Sequence, residues 1–172
     1  MTVAIAAAMR ITRAARAMTC AVLLLAASPL ALVATANADD GVKTRPADCR
    51  LAVPSSWRGW QIEWIGPCTS GAANGAGVAI ATAGGRPPER FYGIVTSGEM
   101  TEGVFDIPDG YRPARFEKGE PVALDDRNQI IAAFRVAASA ARDVSSRFKA
   151  ARNTQAARDY AEAAERLENQ MD

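Results

Sequence analysis

The sequence of 172 residues contains no histidine, and this absence excludes several kinds of active site. Serine and cysteine nucleophiles are commonly activated by a histidine base, and many catalytic metal centres use histidine ligands. Ser–His and Cys–His catalytic systems and histidine-ligated metals are therefore excluded. The sequence predicts no catalytic residue, no metal site and no cofactor.

The remaining catalytic option is a pair of carboxylates, because a glycoside hydrolase needs only two acids about 5–9.5 Å apart. The central region contains five candidates: Glu63, Glu99, Glu102, Asp106 and Asp109. None of them has an unusual sequence setting, and their spacing does not match a calcium-binding loop. A carboxylate-based glycan hydrolase is therefore the third functional hypothesis, behind the two given below.

The chain also lacks an apolar run of the about 20 residues that a membrane-spanning helix needs. Its longest apolar stretch, residues 21–36, is shorter and is interrupted by Pro29. Three arginines precede this stretch, and Ala36-Asn37-Ala38 ends it. A basic region, an apolar region and an Ala-x-Ala site are the parts of a secretory signal peptide. Residues 1–38 are therefore predicted to be a signal peptide that is cleaved after Ala38.

Neither sign of charge dominates the chain, which has 20 basic and 19 acidic side chains. Removal of the three N-terminal arginines leaves 17 basic and 19 acidic side chains, a net charge near −2. This balance gives no indication of nucleic acid or an anionic membrane surface as a partner. We expect the mature chain, residues 39–172, to be a single domain in the bacterial periplasm, with no stable membrane span.

Two cysteines, Cys49 and Cys68, follow the predicted signal peptide. An even number of cysteines in a secreted chain predicts a disulfide. Closing a loop of this size would stabilise the fold by about 3 kcal/mol. A metal pair or a catalytic thiol would require further ligands or a base, and the chain has no histidine to supply them.

Residues 49–120 are predicted to form a small β-domain, preceded by a polar leader at 39–48. Trp60, Ile62 and Trp64 alternate with polar residues, which is the period of a half-buried strand. Turns rich in glycine and proline separate the other apolar runs. Further strands are predicted at 78–82, 91–95, 104–107 and, more weakly, 111–116.

Residues 125–171 are predicted to form one long amphipathic helix, because no proline or glycine occurs between Asp126 and Met171. Asp125 or Asp126 can cap its N-terminus, and apolar residues recur at steps of three and four in a coiled-coil type of seam. The charges are basic as far as Arg158 and acidic beyond it. Antiparallel pairing of two such helices would bring opposite charges together, so self-association through the helix is predicted.

The stretch WIGPCTSGAANGAG, residues 64–77, contains four glycines. A phosphate-binding loop would require a lysine, and a dinucleotide-binding loop would require a different glycine spacing followed by a helix. The stretch meets neither requirement. Its glycines instead follow Trp64 in the order aromatic-x-G-x-x-x-x-G-x-x-x-G-x-G.

This order resembles the signature of the MORN repeat, a short β-hairpin unit. Phe91-x-Gly93-x-x-x-x-Gly98 repeats its first half 27 residues later, Gly103 stands one place beyond the expected position, and a third unit is suggested at 111–119. The motif predicts that Gly71 turns a hairpin at positive φ, and that Gly75 and Gly77 leave room for aromatic rings to pack on the backbone. The alternative is a small closed β-domain in which the glycines support no binding surface.

MORN-like repeats serve mainly as binding and assembly scaffolds, so the resemblance implies a protein partner. Aromatic residues dominate recognition sites, although at least half of those in the β-domain are expected to form its core. The predicted binding residues are Trp60, Trp64, Phe91, Tyr92 and Tyr111. The first functional hypothesis is a non-enzymatic binding or assembly module of the cell envelope. The second is an inhibitor or immunity-type protein that blocks a secreted enzyme.

Overall fold

The computed structural model describes residues 49–172 as an antiparallel β-sheet followed by two helices. The predicted signal peptide at 1–38 and leader at 39–48 lie outside the described residues. The predicted α+β class, with an antiparallel meander before a helical segment, is confirmed. None of the helices in residues 49–172 has both the length and the apolar character needed to cross a membrane.

The main sheet has six strands, each paired antiparallel with its neighbours in the order β1-β4-β5-β6-β7-β8. The short strands β2 and β3 form a separate hairpin between β1 and β4. The strands are β1 (Gln61–Ile65), β2 (Cys68–Thr69), β3 (Ala72–Ala73), β4 (Gly75–Thr82), β5 (Glu89–Thr96), β6 (Glu99–Ile107), β7 (Gly110–Glu117) and β8 (Glu120–Ala123). The five predicted strands correspond to β1 and β4 to β7, whereas β2, β3 and β8 were not predicted.

Three of the hairpins turn on two residues that both have positive φ, as a type I′ turn requires. The φ angles are 52° and 73° in the first turn, 53° and 90° in the second, and 53° and 80° in the third. The prediction that Gly71 turns a hairpin at positive φ is confirmed. The turn residues are Ser70-Gly71, Ser97-Gly98 and Lys118-Gly119.

Two aromatic rings each lie over a pair of glycines. The Trp64 ring lies over Gly66 and Gly77, where a methyl group on Gly77 would approach it to 2.6 Å. The Phe91 ring lies in the same way over Gly93 and Gly103. A Cβ at any of these four positions would come closer to the ring or to the facing backbone than real Cβ atoms do, so glycine is required at each of them. The prediction that Gly77 leaves room for an aromatic ring is confirmed, whereas Gly75 is contacted by Pro67.

The β5–β6 hairpin contains a register shift, and its Gly103 lies beneath the Phe91 ring as Gly77 lies beneath the Trp64 ring. Gly103 is thus the counterpart of Gly77, not of Gly75, and it follows its ring residue by 12 positions instead of 13. Val95 pairs with Met100 and Ile94 pairs with Glu102, so Thr101 is an additional residue in β6. Such a bulge moves every later residue by one position along its strand. As a result, Gly93 and Gly103 lie opposite each other beneath the Phe91 ring.

The sheet buries one hydrophobic core on each face. The aromatic core lies between the sheet and residues 49–60, and the helical core lies between the sheet and the helices. The large members of the aromatic core are Leu51, Trp57, Ile62, Trp64, Phe91, Val95, Met100 and Phe105. The helical core contains Val78, Tyr92, Val104, Phe134, Val144, Tyr160, Leu167 and many alanines.

Residues 49–60 cover the aromatic core as an irregular segment with one 3-10 turn, Ser55–Trp57. Cys49 and Cys68 form a disulfide with a Cα–Cα distance of 5.8 Å, as predicted. The backbone of Arg50 donates to the Gly71 carbonyl at 2.9 Å and accepts from Ala73 at 2.9 Å. The segment is therefore attached to the β2–β3 hairpin by a covalent bond and by backbone hydrogen bonds.

The prediction of one continuous C-terminal helix is wrong, because the chain forms α1 (Arg127–Ala150) and α2 (Thr154–Glu168). Arg152 adopts a left-handed φ of 60°. The amide of Arg152 donates to the Lys149 carbonyl, and the amide of Asn153 donates to the Phe148 carbonyl. These two bonds are those of a Schellman motif, which ends a helix without requiring glycine or proline. Asn153 then caps α2 by accepting from the Ala156 amide at 3.1 Å.

The two helices pack against each other in antiparallel orientation. Arg142 forms an ion pair with Glu168, and the Phe148 and Tyr160 rings stack at a centroid distance of 5.5 Å. Opposite charges that the sequence separates along the helical region are thus brought together within one chain. Self-association through the helices stays a prediction. At the start of α1, Asp126 accepts from the Gln129 amide at 3.0 Å, so the predicted cap is confirmed.

Candidate functional site

Three of the five aromatic residues predicted to bind a partner are buried. Trp64, Phe91 and Tyr92 are 1%, 0% and 3% exposed. Trp64 and Phe91 are buried because they lie over glycine pairs in the aromatic core, and Tyr92 is buried beneath the helices. Their burial removes these three side chains from any surface that a partner can reach.

Trp60 and Tyr111, the other two predicted binding residues, are half-buried. Trp60 packs at the margin of the aromatic core, and the Arg86 guanidinium lies 5.6 Å from its ring centroid. Tyr111 makes an edge-to-face contact with Phe134 at 6.1 Å. The structure therefore does not bring the predicted residues together in one site, and only Tyr111 lines a cavity.

A cavity of about 440 Å³ lies where β5 and β7 begin and β6 and β8 end. We call it the sheet-end groove. Its floor is formed by Trp57, Phe105 and Ala114, all of which belong to the aromatic core. Its more accessible lining is formed by Glu89, Ile107, Tyr111, Arg112, Pro121 and Ala123.

The 3-10 turn that forms one wall of the groove is fixed to the sheet by Glu120. The Glu120 carboxylate accepts from the backbone amide of Ser55 at 2.9 Å and from its hydroxyl at 3.0 Å. Behind this wall, Trp57 makes an edge-to-face contact with Phe105 at 5.3 Å. The groove is thus preformed by packed rings and by a hydrogen-bonded wall, which is typical of ligand-binding sites.

Glu89 is the acidic residue of the groove. Its Oε2 accepts a hydrogen bond from Nε1 of Trp57 at 2.6 Å, and its side chain is half-buried. The ion pairs within residues 49–172 do not include Glu89. Arg112, at the rim, pairs instead with Asp109 at 3.8 Å, and both of these side chains are largely exposed. The groove therefore combines an accessible apolar lining, formed by Ile107, Pro121 and Ala123, with a half-buried carboxylate.

On the face of the sheet that packs against the helices, two tyrosines have raised pKa values. Burial raises the pKa of the Tyr92 and Tyr160 hydroxyls above the ordinary value of 10.0, and the nearby Arg90 partly opposes this effect. Both hydroxyls thus stay protonated at neutral pH. Residues 49–172 contain no group of three or more side chains suited to hold a metal ion.

The sequence did not indicate Glu89, Ile107 or Arg112 as site residues. Glu89 is one of many acidic residues, and no local pattern shows which carboxylate is covered by another part of the chain. One signal was available: a buried tryptophan usually finds an acceptor for its indole N–H, so Trp57 required a partner. Comparison of the chain with protein-family models, curated proteins and solved structures finds no match.

Proposed function

We propose that this protein is a non-enzymatic binding module of the bacterial cell envelope that holds a partner in the sheet-end groove. The observation that supports this function is the composition of the groove. The apolar side chains of Ile107, Pro121 and Ala123 line the groove beside a half-buried carboxylate, Glu89, and the cavity measures about 440 Å³. Preformed apolar concavities with a few fixed polar groups are the usual form of binding sites.

The envelope location is supported by the signal-peptide features of residues 1–38 and by the disulfide between Cys49 and Cys68. The MORN-like interpretation is supported by the recurring hairpins, in which an aromatic ring lies over one glycine before and one glycine after a positive-φ turn. A scaffold of this kind would position the groove rigidly for a partner.

The proposed function is tested by photo-crosslinking in the envelope. A photo-reactive residue placed at Arg112, on the groove rim, should give a discrete adduct with one envelope protein. The same residue placed at Ser139, which is exposed on α1, should not give that adduct. A second variant, Ala123→Trp, should abolish the Arg112 adduct by filling the groove from the exposed side of β8.

Mass spectrometry of the adduct identifies the crosslinked partner protein. The identity of that protein separates the two leading hypotheses. A structural envelope protein as partner would indicate assembly, whereas a secreted enzyme would indicate inhibition. Equal adducts from Arg112 and Ser139, or an Arg112 adduct that Ala123→Trp leaves unchanged, would contradict binding in the groove. Cleavage after Ala38 is checked in the same sample by the mass of the mature chain.

A further inference from the structure

We infer that the sheet-end groove receives a lysine side chain of a protein partner, with the ε-ammonium against Glu89 and the methylene stem on the apolar lining. This inference rests on the proposed function and names the chemistry of the group that is bound. It is carried by the charge, burial and hydrogen bonding of Glu89, together with the shape and lining of the groove.

The first argument concerns the two oxygens of Glu89. Oε2 accepts from the Trp57 indole at 2.6 Å, while Oε1 takes part in no hydrogen bond or ion pair within residues 49–172. A neutral amide would also give the indole N–H an acceptor, since one acceptor is enough. The negative charge is therefore not explained by the contact with Trp57, and a half-buried carboxylate without a cation is unfavourable.

The second argument concerns the lining beside Glu89. Ile107, Pro121 and Ala123 present apolar surface along the cavity and remain partly or fully accessible. A long basic side chain buries its methylene stem on such a surface while its charged end stays at a polar group. The groove thus matches both parts of an amphipathic cationic side chain.

The third argument favours lysine over arginine. A guanidinium binds carboxylates best through two parallel hydrogen bonds that use both oxygens. A guanidinium that used both oxygens of Glu89 would share Oε2 with the Trp57 indole, whereas an ammonium, which acts as a point charge, needs only Oε1. Arg112 at the rim is paired with the exposed Asp109, which reduces its repulsion of an incoming cation.

The inference is tested by NMR titration of the full chain with its disulfide intact, observing the indole N–H signal of Trp57. The probes are the Nα-acetyl amides of lysine, norleucine and arginine, and Trp57→Phe assigns the signal. Lysine should shift the signal with an affinity about tenfold higher than norleucine, which has a similar stem and no charge. The arginine probe should bind more weakly than the lysine probe.

The matched variants are Glu89→Gln and Glu99→Gln, which each remove one negative charge. The Glu89→Gln variant keeps an acceptor for the indole of Trp57, so the fold should be retained while lysine affinity falls about tenfold. Glu99 is exposed at the opposite end of the β5–β6 hairpin, and its substitution should leave the affinity unchanged.

The outcomes separate this inference from the proposed function. Equal binding of lysine and norleucine, or tighter binding of arginine, would overturn the lysine assignment while leaving the groove as a binding site. Unchanged lysine affinity in Glu89→Gln would do the same. If no probe shifts the signal while the Arg112 crosslink persists, the lysine assignment fails alone. If the groove-specific crosslink is also absent, the proposed function fails with it.

Discussion

The two faces of the sheet are covered in different ways. The helical core is closed by two regular helices, whose small residues, including Ala133, Ala137, Ala138 and Ala141, are buried against the sheet and each other. The aromatic core is closed by the irregular residues 49–60, which include one 3-10 turn. Large rings fill this second core, and the sheet-end groove opens where the irregular segment ends.

Under the proposed function, this difference lets one small sheet serve for both stability and binding. Alanines allow the α1 backbone to approach β4, β5, β6 and β7 closely, so α1 covers the middle strands of this face. An irregular segment covers only the strands that it crosses, and it requires a disulfide and the Glu120 contact to stay in place. In the proposed function, the groove beside this segment is the concave surface that receives a partner.

The largest effect is expected from removing the main ring of the irregular cover. Trp57→Ala should lower the free energy of unfolding by about 3–5 kcal/mol, because it leaves a cavity and removes the indole donor to Glu89. The matched variant on the other face, Leu167→Ala, should lower the free energy of unfolding by about 2–5 kcal/mol. Urea denaturation measures both values.

Limited proteolysis distinguishes the two covers in these variants. Trp57→Ala should expose residues 49–60 to cleavage under native conditions, whereas Leu167→Ala should leave that segment protected. Equal protection of the segment in both variants would contradict the conclusion that Trp57 attaches it to the sheet.

The second-largest effect is expected from the disulfide. Replacing both Cys49 and Cys68 by serine should lower the free energy of unfolding by about 3 kcal/mol, since the unfolded chain gains loop entropy. Wild-type protein under reducing conditions should unfold at the same urea concentration as the double variant. A double variant as stable as the oxidised wild type would show that the disulfide does not contribute to holding the segment.

The sequence could predict the elements whose signals are local. The strands were predicted by alternation, as at Trp60, Ile62 and Trp64. The hairpins were predicted by glycines at the turns, and the disulfide by the even number of cysteines. The α1–α2 break was missed because Arg152 and Asn153 form a Schellman motif without glycine or proline. The candidate site was missed because it depends on which carboxylate the chain places beneath Trp57, a contact between residues 32 positions apart.

A smaller effect is expected at the helix break, because Arg152 has a positive φ of 60°. Arg152→Gly should stabilise the protein by about 1 kcal/mol, since glycine adopts this conformation without a Cβ clash. The matched variant Arg147→Gly, at an exposed position inside α1, should destabilise it by about 1 kcal/mol. Thermal denaturation of both variants measures the difference. Two changes of the same sign would contradict the assignment of Arg152 as the point where α1 ends.

The smallest effect on stability at neutral pH is expected from the tyrosines. At alkaline pH, the same residues separate the two faces of the sheet most sharply. All three tyrosines of the chain belong to or pack against the helical core. Burial raises the pKa of Tyr92 and Tyr160, so these hydroxyls bind their protons more tightly in the folded state than in the unfolded state. Their contribution to stability is complete below the ordinary pKa of 10.0 and is lost as pH rises through the raised folded pKa.

The free energy of unfolding of Tyr92→Phe should therefore lie within about 1 kcal/mol of the wild-type value at pH 7. Above pH 10.0, the free energy of unfolding of the wild type should fall by up to about 1.4 kcal/mol more than that of the variant for each pH unit. Urea denaturation between pH 7 and pH 11 gives this slope, and the near-ultraviolet absorbance of tyrosinate follows ionisation directly. Because the aromatic core contains no tyrosine among the described residues, the Trp57 indole signal should stay native-like until the whole domain unfolds. Equal slopes for the variant and the wild type would show that burial beneath the helices does not hold the Tyr92 proton, and that the two faces respond alike to alkaline pH.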